Sequence, residues 1–263
     1  CVGAEPLAVT DNLNFASPET PIGFWQLAMA CRGLSSACNT LETPVTGGNV
    51  SLFNEIRLSD GKLQPIHPTP VIGMVGLVDN LNNVCGQSWI KAGDSIWLLG
   101  VPAGNSFSHD LRITLGGSSY LETIHGAITG RPPQIDLQFE KIIQSFLRKA
   151  ISKGLVRSAH DVSDGGLAVA ISECCISSGL GAHCVLPQSN SRLDRLLFGE
   201  GGPRIVVSID PHKELEWQNL LTQVNTKSPE LTPGFKLGVV KVEDELFIGM
   251  KETCLIKTSV SKL

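Results

Sequence analysis

Four short stretches of this 263-residue chain hold side chains that could do chemistry together. Thr10-Asp11-Asn12-Leu13-Asn14-Phe15 places a carboxylate and two amides where an apolar run ends. Such oxygens are hard ligands suited to Mg²⁺, or acceptors for a nucleotide. The same residue types also build loops in which Asx side chains bond their own backbone. Thr46-Gly47-Gly48-Asn49-Val50-Ser51 has two glycines beside an amide oxygen and a hydroxyl. The glycines let a bulky ligand approach the backbone and can form a nest of N–H groups for phosphate. Gly-Gly-Asn is equally ordinary turn chemistry, and no P-loop pattern is present. His160-Asp161-Val162-Ser163-Asp164-Gly165-Gly166 falls between strand and helix patterns, where anions and metals are often bound. His160 there is either a base or a hydrogen-bonded strand-end residue, and Ser163 or Asp164 could cap the helix. In Leu197-Phe198-Gly199-Glu200-Gly201-Gly202-Pro203-Arg204, Glu200 either meets a ligand or sits in a turn that feeds the next strand. Gly116-Gly117-Ser118 is a further Gly-rich turn without evident purpose. No Ser–His–Asp order, zinc spacing or G-x-G-x-x-G is defensible.

These stretches need elements to hold them. Leu7-Ala8-Val9 reads as a short strand handing over to Thr10-Asp11-Asn12. Ser17-Pro18-Glu19 predicts a helix start, with Ser as cap and Pro at the first helical position. That helix would bury Phe24, Leu27, Ala28, Cys31 and Leu34, with Gly33 threatening its length. Pro44–Asn54 reads as a Gly-rich strand and turn, and Val71–Val78 as a buried strand. Polar Asp79-Asn80-Leu81-Asn82-Asn83 is a connector. We place a domain boundary there, giving domains 1–85 and 86–263. In the second, Phe139, Ile142, Ile143, Phe146, Leu147 and Ala150 recur at helical spacing, and Gly154 ends that helix. Asp164 to about Ser178 predicts another, closed by Gly179. Leu193–Leu197 and Glu214–Leu221 suggest two short helices. Ser95–Leu99, Leu155–Ser158, Ile205–Ile209, Leu237–Val242 and Leu246–Ile248 predict strands. The fold class is mixed α/β (α+β).

Composition excludes several classes. The length allows one or two domains at roughly 150 residues each. Net charge is −4, which argues against a basic surface for nucleic acid or membrane. Few aromatics, 5% of residues, leave little for base stacking. The longest uncharged runs, Cys174–Ser191 and Leu63–Val78, are broken by polar residues and prolines, so no spanning helix is expected. No secretory signal is expected, since the opening residues lack a basic segment followed by an apolar one. The eight Cys, with no C-x-x-C pair, read as reduced and mostly buried thiols of a cytoplasmic protein.

Taken in order, Leu7–Phe15, Pro44–Asn54, Ile66-His67-Pro68-Thr69-Pro70-Val71-Ile72-Gly73-Met74-Val75-Gly76, Ser158–Leu167 and Leu197–Val207 resemble the phosphoribosylformylglycinamidine synthase family, synthetase subunit or domain, of the aminoimidazole ribonucleotide synthetase superfamily. The resemblance implies an ATP-dependent carbon–nitrogen ligase of purine biosynthesis. It would amidate formylglycinamide ribonucleotide with glutamine-derived ammonia, using Mg²⁺. It further implies an incomplete N-terminal-type domain followed by a C-terminal-type domain, from the second of two homologous halves. The partners implied are the missing N-terminal half and a glutaminase subunit or domain. By this resemblance Asp11 and Gly48 contact ATP, Asn49 binds Mg²⁺ and Ser51 touches the ribonucleotide. Asp161 is a second-tier acidic position. No catalytic residue is assigned here, because the family's catalytic His belongs to the other half. The chain alone is therefore expected to be inactive. Gly47 stands where many relatives have Ser. Alternatives are a structural nucleotide-binding half without turnover, or a related kinase or synthetase such as thiamine-phosphate kinase or selenophosphate synthetase.

Overall fold

The computed structural model describes residues 1–102, 111–224 and 234–263. The chain divides into two compact units, Ala4–Asp79 and Asn80–Leu263, the latter joined by Cys1–Gly3.

In the smaller unit, β1 (Glu5–Asn14) is the central strand of a three-stranded sheet. β2 (Val45–Ser51) runs parallel to it on one side. A parallel neighbour requires a crossover connection, and α1 (Pro21–Leu41) supplies it. β3 (Glu55–Arg57) and β4 (Leu63–Pro65) form a separate hairpin. β5 (Thr69–Leu77) then pairs antiparallel to the other side of β1. The expected strand Leu7–Val9 therefore runs five residues further. Asp11, Asn12 and Asn14 lie on a strand rather than in a loop, because both neighbours pair through to Asn14.

Four other expectations need correction here. The helix begins at Pro21, capped by Thr20, whose Oγ1 accepts the Gly23 N–H at 3.2 Å. Ser17 and Pro18 instead open the turn before it, where the Ser17 carbonyl accepts from the Thr20 hydroxyl at 3.0 Å. Gly33 does not shorten the helix, which runs 21 residues. Gly23 is its only buried residue, whereas Phe24 and Cys31 are exposed and Leu27, Ala28 and Leu34 half-buried. β5 matches the strand expected at Val71–Val78, yet all nine of its residues are exposed. One helix and one small hairpin cannot cover both faces of a sheet, so much of this apolar surface stays unpaired within the unit.

The larger unit is a seven-stranded mixed sheet in the order β12-β11-β8-β10-β6-β9-β7. Its interior strands β6 (Ser95–Gly100) and β9 (Arg204–Ile209) are buried throughout. Alternation sends their side chains into two cores. Ile96, Leu98 and Val206 join α4 (Gly166–Ser178) in one. Trp97, Leu99, Ile205, Val207 and Ile209 join α3 (Leu137–Ser152) and α6 (Glu214–Thr222) in the other. α3 buries Phe139, Ile143, Phe146, Leu147 and Ala150 as its spacing predicts, with Ile142 at the margin. α5 (Leu193–Phe198), β7 (Val156–Asp161), β10 (Gly234–Lys241) and β11 (Leu246–Met250) also fall near their expected positions. α2 (Ser119–His125), β8 (Gly181–Leu186) and β12 (Thr253–Thr258) were not legible beforehand. None of the eight cysteines is in a disulfide, and four of them are buried.

The β11–β12 hairpin turns on Lys251-Glu252, and Lys251 is forced to φ +53°. That region costs a non-glycine residue roughly 1–2 kcal/mol. Lys251→Gly is therefore expected to stabilise this unit by about 1 kcal/mol, allowing for glycine's greater freedom in the unfolded chain. Thermal unfolding of the two chains checks it, and an unchanged or lower midpoint would contradict the argument.

Candidate functional site

The register of β1 with β2 sets the geometry. Asp11 lies opposite Gly48, Asn12 opposite Asn49, and Asn14 opposite Ser51. Successive side chains on a strand point to opposite faces, so the four residues expected to form one site divide into two pairs. Asp11 and Gly48 share a face with Val9 and Leu13. Asn49 and Ser51 share the other with Asn12 and Asn14.

On the first face, α1 crosses over the sheet and leaves an open cleft of about 520 Å³. Asp11 and Leu13 of β1 line it together with Cys31, Leu34, Ser35 and Cys38 of α1. Gly48 is required by its neighbour: a Cβ there would stand 2.6 Å from the Asp11 carbonyl oxygen and 2.7 Å from its Cγ. The missing side chain is what makes room for the Asp11 carboxylate. The reading of Gly47-Gly48 as a nest or tight turn does not hold. Both glycines are in β2, and neither has the positive φ of a nest.

On the second face, the Asn49 amide nitrogen points at Asn12 Oδ1, 3.5 Å away. Asn54 clamps Ser51: its amide nitrogen donates to the Ser51 carbonyl at 2.7 Å and to Oγ at 3.1 Å. Asn54 was not singled out from sequence, since an isolated Asn after a strand carries no distinctive spacing. The donor set fits magnesium in part. Among the described residues no group of three or more His, Cys, Asp or Glu could hold a metal. Mg²⁺ usually takes one or two carboxylates, with water and substrate phosphates completing its shell. The amide oxygen of Asn49 supplies one neutral ligand of such a shell, and the face that carries it adds no carboxylate.

Asp161 belongs to the larger unit. It ends β7 with its side chain 61% exposed, 3.6 Å from His160 Nδ1. His160 is held by Glu173, with Nε2 2.8 Å from a carboxylate oxygen, which favours its reading as a satisfied strand-end residue. Neither Ser163 nor Asp164 caps α4; Gly165 does, in the left-handed conformation.

Glu200 joins three of the Gly-rich turns. One of its carboxylate oxygens accepts from the Ser119 N–H at 2.8 Å, at the start of α2, and from the Gly165 N–H at 2.9 Å. Its backbone pairs with Thr114 in both directions. The guanidinium of Arg204, almost fully buried, donates to the carbonyls of Gly201 at 2.9 Å and Gly199 at 2.5 Å. Burial pulls its pKa down to about 10, and the Glu200 charge opposes that fall. Gly116-Gly117-Ser118 has its purpose here: Gly116 packs against the Arg131 backbone, and the Ser118 hydroxyl caps α2. The turn at Glu200 is thus a half-buried polar knot around the buried Arg204.

Comparison with known proteins agrees along the whole chain. The family model for AIR synthase related protein, N-terminal domain, matches residues 1–78, and that for the C-terminal domain matches residues 91–228. The chain is 63% identical over its full length to phosphoribosylformylglycinamidine synthase subunit PurL of Prochlorococcus marinus (strain MIT 9313), of which it covers 33%. It is 53% identical, again over its full length, to the subunit of the same name from Thermosynechococcus vestitus, covering 34% of that protein. The chain thus spans about a third of the length of these curated relatives. Among solved structures it is similar to Thermotoga maritima PurL complexed with FGAR, with a TM-score of 0.68 at 20% identity, covering 99% of this chain and 40% of that one. It is also similar to Escherichia coli HypE, a hydrogenase maturation protein, with a TM-score of 0.64 at 15% identity, covering 98% and 74%. At these identities the likeness is one of fold.

Proposed function

We propose, from the premise that this chain belongs to the AIR synthase related family, that it supplies part of a phosphoribosylformylglycinamidine synthase. That enzyme is an ATP-dependent ligase which amidates formylglycinamide ribonucleotide with ammonia from a glutaminase partner, in the cytoplasm. The register of β1 and β2 carries the reading. It sets the acidic Asp11 beside a glycine shaped around it, and an amide and a hydroxyl on the reverse of the same two strands.

The roles are those the family resemblance implies, and donor chemistry is compatible with them. An ionised carboxylate only accepts hydrogen bonds, so Asp11 addresses donor groups of the nucleotide and not its phosphates. Gly48 keeps the backbone close at that point. Asn49, on the other face of the edge strand β2 from Asp11, would hold Mg²⁺ where the phosphates pass around that edge, and the ion would neutralise phosphate charge there. Ser51, already oriented by Asn54, would hydrogen-bond the ribonucleotide. Asp161 remains a second acidic candidate, in the other unit. In the reaction the amide oxygen of the substrate takes the γ-phosphoryl group of ATP. Ammonia then adds to the activated carbon, and phosphate leaves to give the amidine. The domains assigned to these tasks are 1–85 for nucleotide and substrate and 86–263 for the accompanying α/β domain. The chain alone is expected to lack turnover, so activity tests use the complete synthetase.

Ser51→Ala in that synthetase is expected to raise KM for formylglycinamide ribonucleotide several-fold and leave KM for ATP nearly unchanged. A lost hydrogen bond costs about 1 kcal/mol, and more if its partner is charged. Steady-state kinetics in both substrates decide it. A selective ATP defect would contradict the assignment.

A further inference from the structure

The second face of the small sheet is wired with a consistent polarity. A primary amide donates through its nitrogen and accepts through its oxygen. The Asn14 amide nitrogen donates to the backbone carbonyls of Asn12 and Thr69, both at 3.3 Å. The Asn49 amide nitrogen faces Asn12 Oδ1 at 3.5 Å. Both nitrogens therefore face acceptors within the sheet, Asn14 through two contacts and Asn49 through one, which leaves the oxygens of Asn14 and Asn49 as the ends turned to an incoming group. Their neighbours on this face, by register, are Thr10, Gly47, Ser51 and the β5 residues Thr69, Val71, Gly73 and Val75. No basic side chain stands among them. The face offers neutral acceptors, the chemistry of a hard cation site and not of a bare phosphate site.

We propose that Asn12 is a positioning residue for the cation site at Asn49. Its Oδ1 takes an N–H of Asn49 and so keeps the Asn49 oxygen turned outward. Without it the amide is free to rotate and present its nitrogen, which cannot bind a cation. The proposal rests on the reading of Asn49 as the magnesium ligand. Partners that orient a ligand in this way typically affect metal affinity by roughly tenfold to a hundredfold.

The test is binding of Mn²⁺–ATP, and separately of metal-free ATP, to the complete synthetase, followed by electron paramagnetic resonance and calorimetry. Asn12→Leu is expected to weaken Mn²⁺–ATP about tenfold and to leave metal-free ATP unchanged. Asn12→Asp, which keeps an oxygen acceptor, should restore binding. Asn49→Leu should remove the advantage of the metal complex, alone or combined with Asn12→Asp. Circular dichroism monitors folding. If Asn12→Leu loses structure, Asn12→Thr is read in its place, since its short hydroxyl cannot reach Asn49 and threonine favours strands. Equal weakening of both ligands by Asn12→Leu would make Asn12 merely structural and overturn the proposal. So would wild-type Mn²⁺–ATP affinity in that variant, or retained affinity in Asn12→Asp/Asn49→Leu. Wild-type metal dependence in Asn49→Leu, or none in the wild-type synthetase, would instead overturn the Asn49 reading beneath it.

Discussion

Glu200→Leu is expected to destabilise the larger unit by about 3 kcal/mol. One Glu200 oxygen serves the first N–H of α2 and the capping N–H of α4. A partly buried donor left without an acceptor costs roughly 1–3 kcal/mol. The loss also strips the buried Arg204 of the carboxylate that supports its charge, and an uncompensated buried charge is among the larger penalties a core can suffer. Glu200→Gln keeps an oxygen in place and should cost only about 1 kcal/mol, because one neutral acceptor replaces a charged one. Urea titrations followed by tryptophan fluorescence separate the cases, since Trp89, Trp97 and Trp217 all lie in this unit and are buried. A Leu variant within about 0.5 kcal/mol of wild type would put it among ordinary surface substitutions and refute the knot.

Asn49→Leu in the complete synthetase is expected to cut kcat/KM for Mg²⁺–ATP by at least about a hundredfold. Removing partners that only orient a metal ligand already costs up to roughly that much, and Asn49 is assigned as a ligand itself. Leucine has nearly the same shape and no oxygen, and position 49 lies on an exposed strand face, so the fold should survive. The matching control is Asn82→Leu, in the connector beyond the small unit, where little change is expected. Raising Mg²⁺ should recover part of the lost activity. Equal activity of Asn49→Leu and wild type at limiting Mg²⁺ would remove Asn49 from the metal site.

Much of the larger unit could be read in advance. The apolar period of α3, the uninterrupted apolar run of β6 and the glycines closing α3 and α4 are local signals. They survive because both faces of that sheet are covered and nothing overrides them. The smaller unit was read less well for a physical reason. Helical and strand periodicity report burial only when there is something to be buried against, and Phe24, Cys31 and the strand β5 have little within the unit. The helix start was misplaced by three residues because Ser17-Pro18 and Thr20-Pro21 carry the same capping chemistry. Only the turn formed by Ser17 decided between them.

The candidate site divides in the same way. Residue types alone showed Asp11, Asn49 and Ser51 as oxygen-bearing side chains and Gly48 as a close-approach glycine, with ordinary loop chemistry an equal reading; only the family resemblance singled these four out as ligands. Their arrangement was not. It depends on the parallel register that pairs Asp11 with Gly48 and Asn12 with Asn49, which is set by a 30-residue excursion through α1 and by a bulge after Val9. A shift of one residue would exchange the two faces. Likewise Glu200 could be seen in its Gly-rich turn, but not its partners Ser119 and Gly165, which lie 81 and 35 residues away. Local sequence names the donors and acceptors; only the tertiary pairing of distant backbone decides which of them face one another.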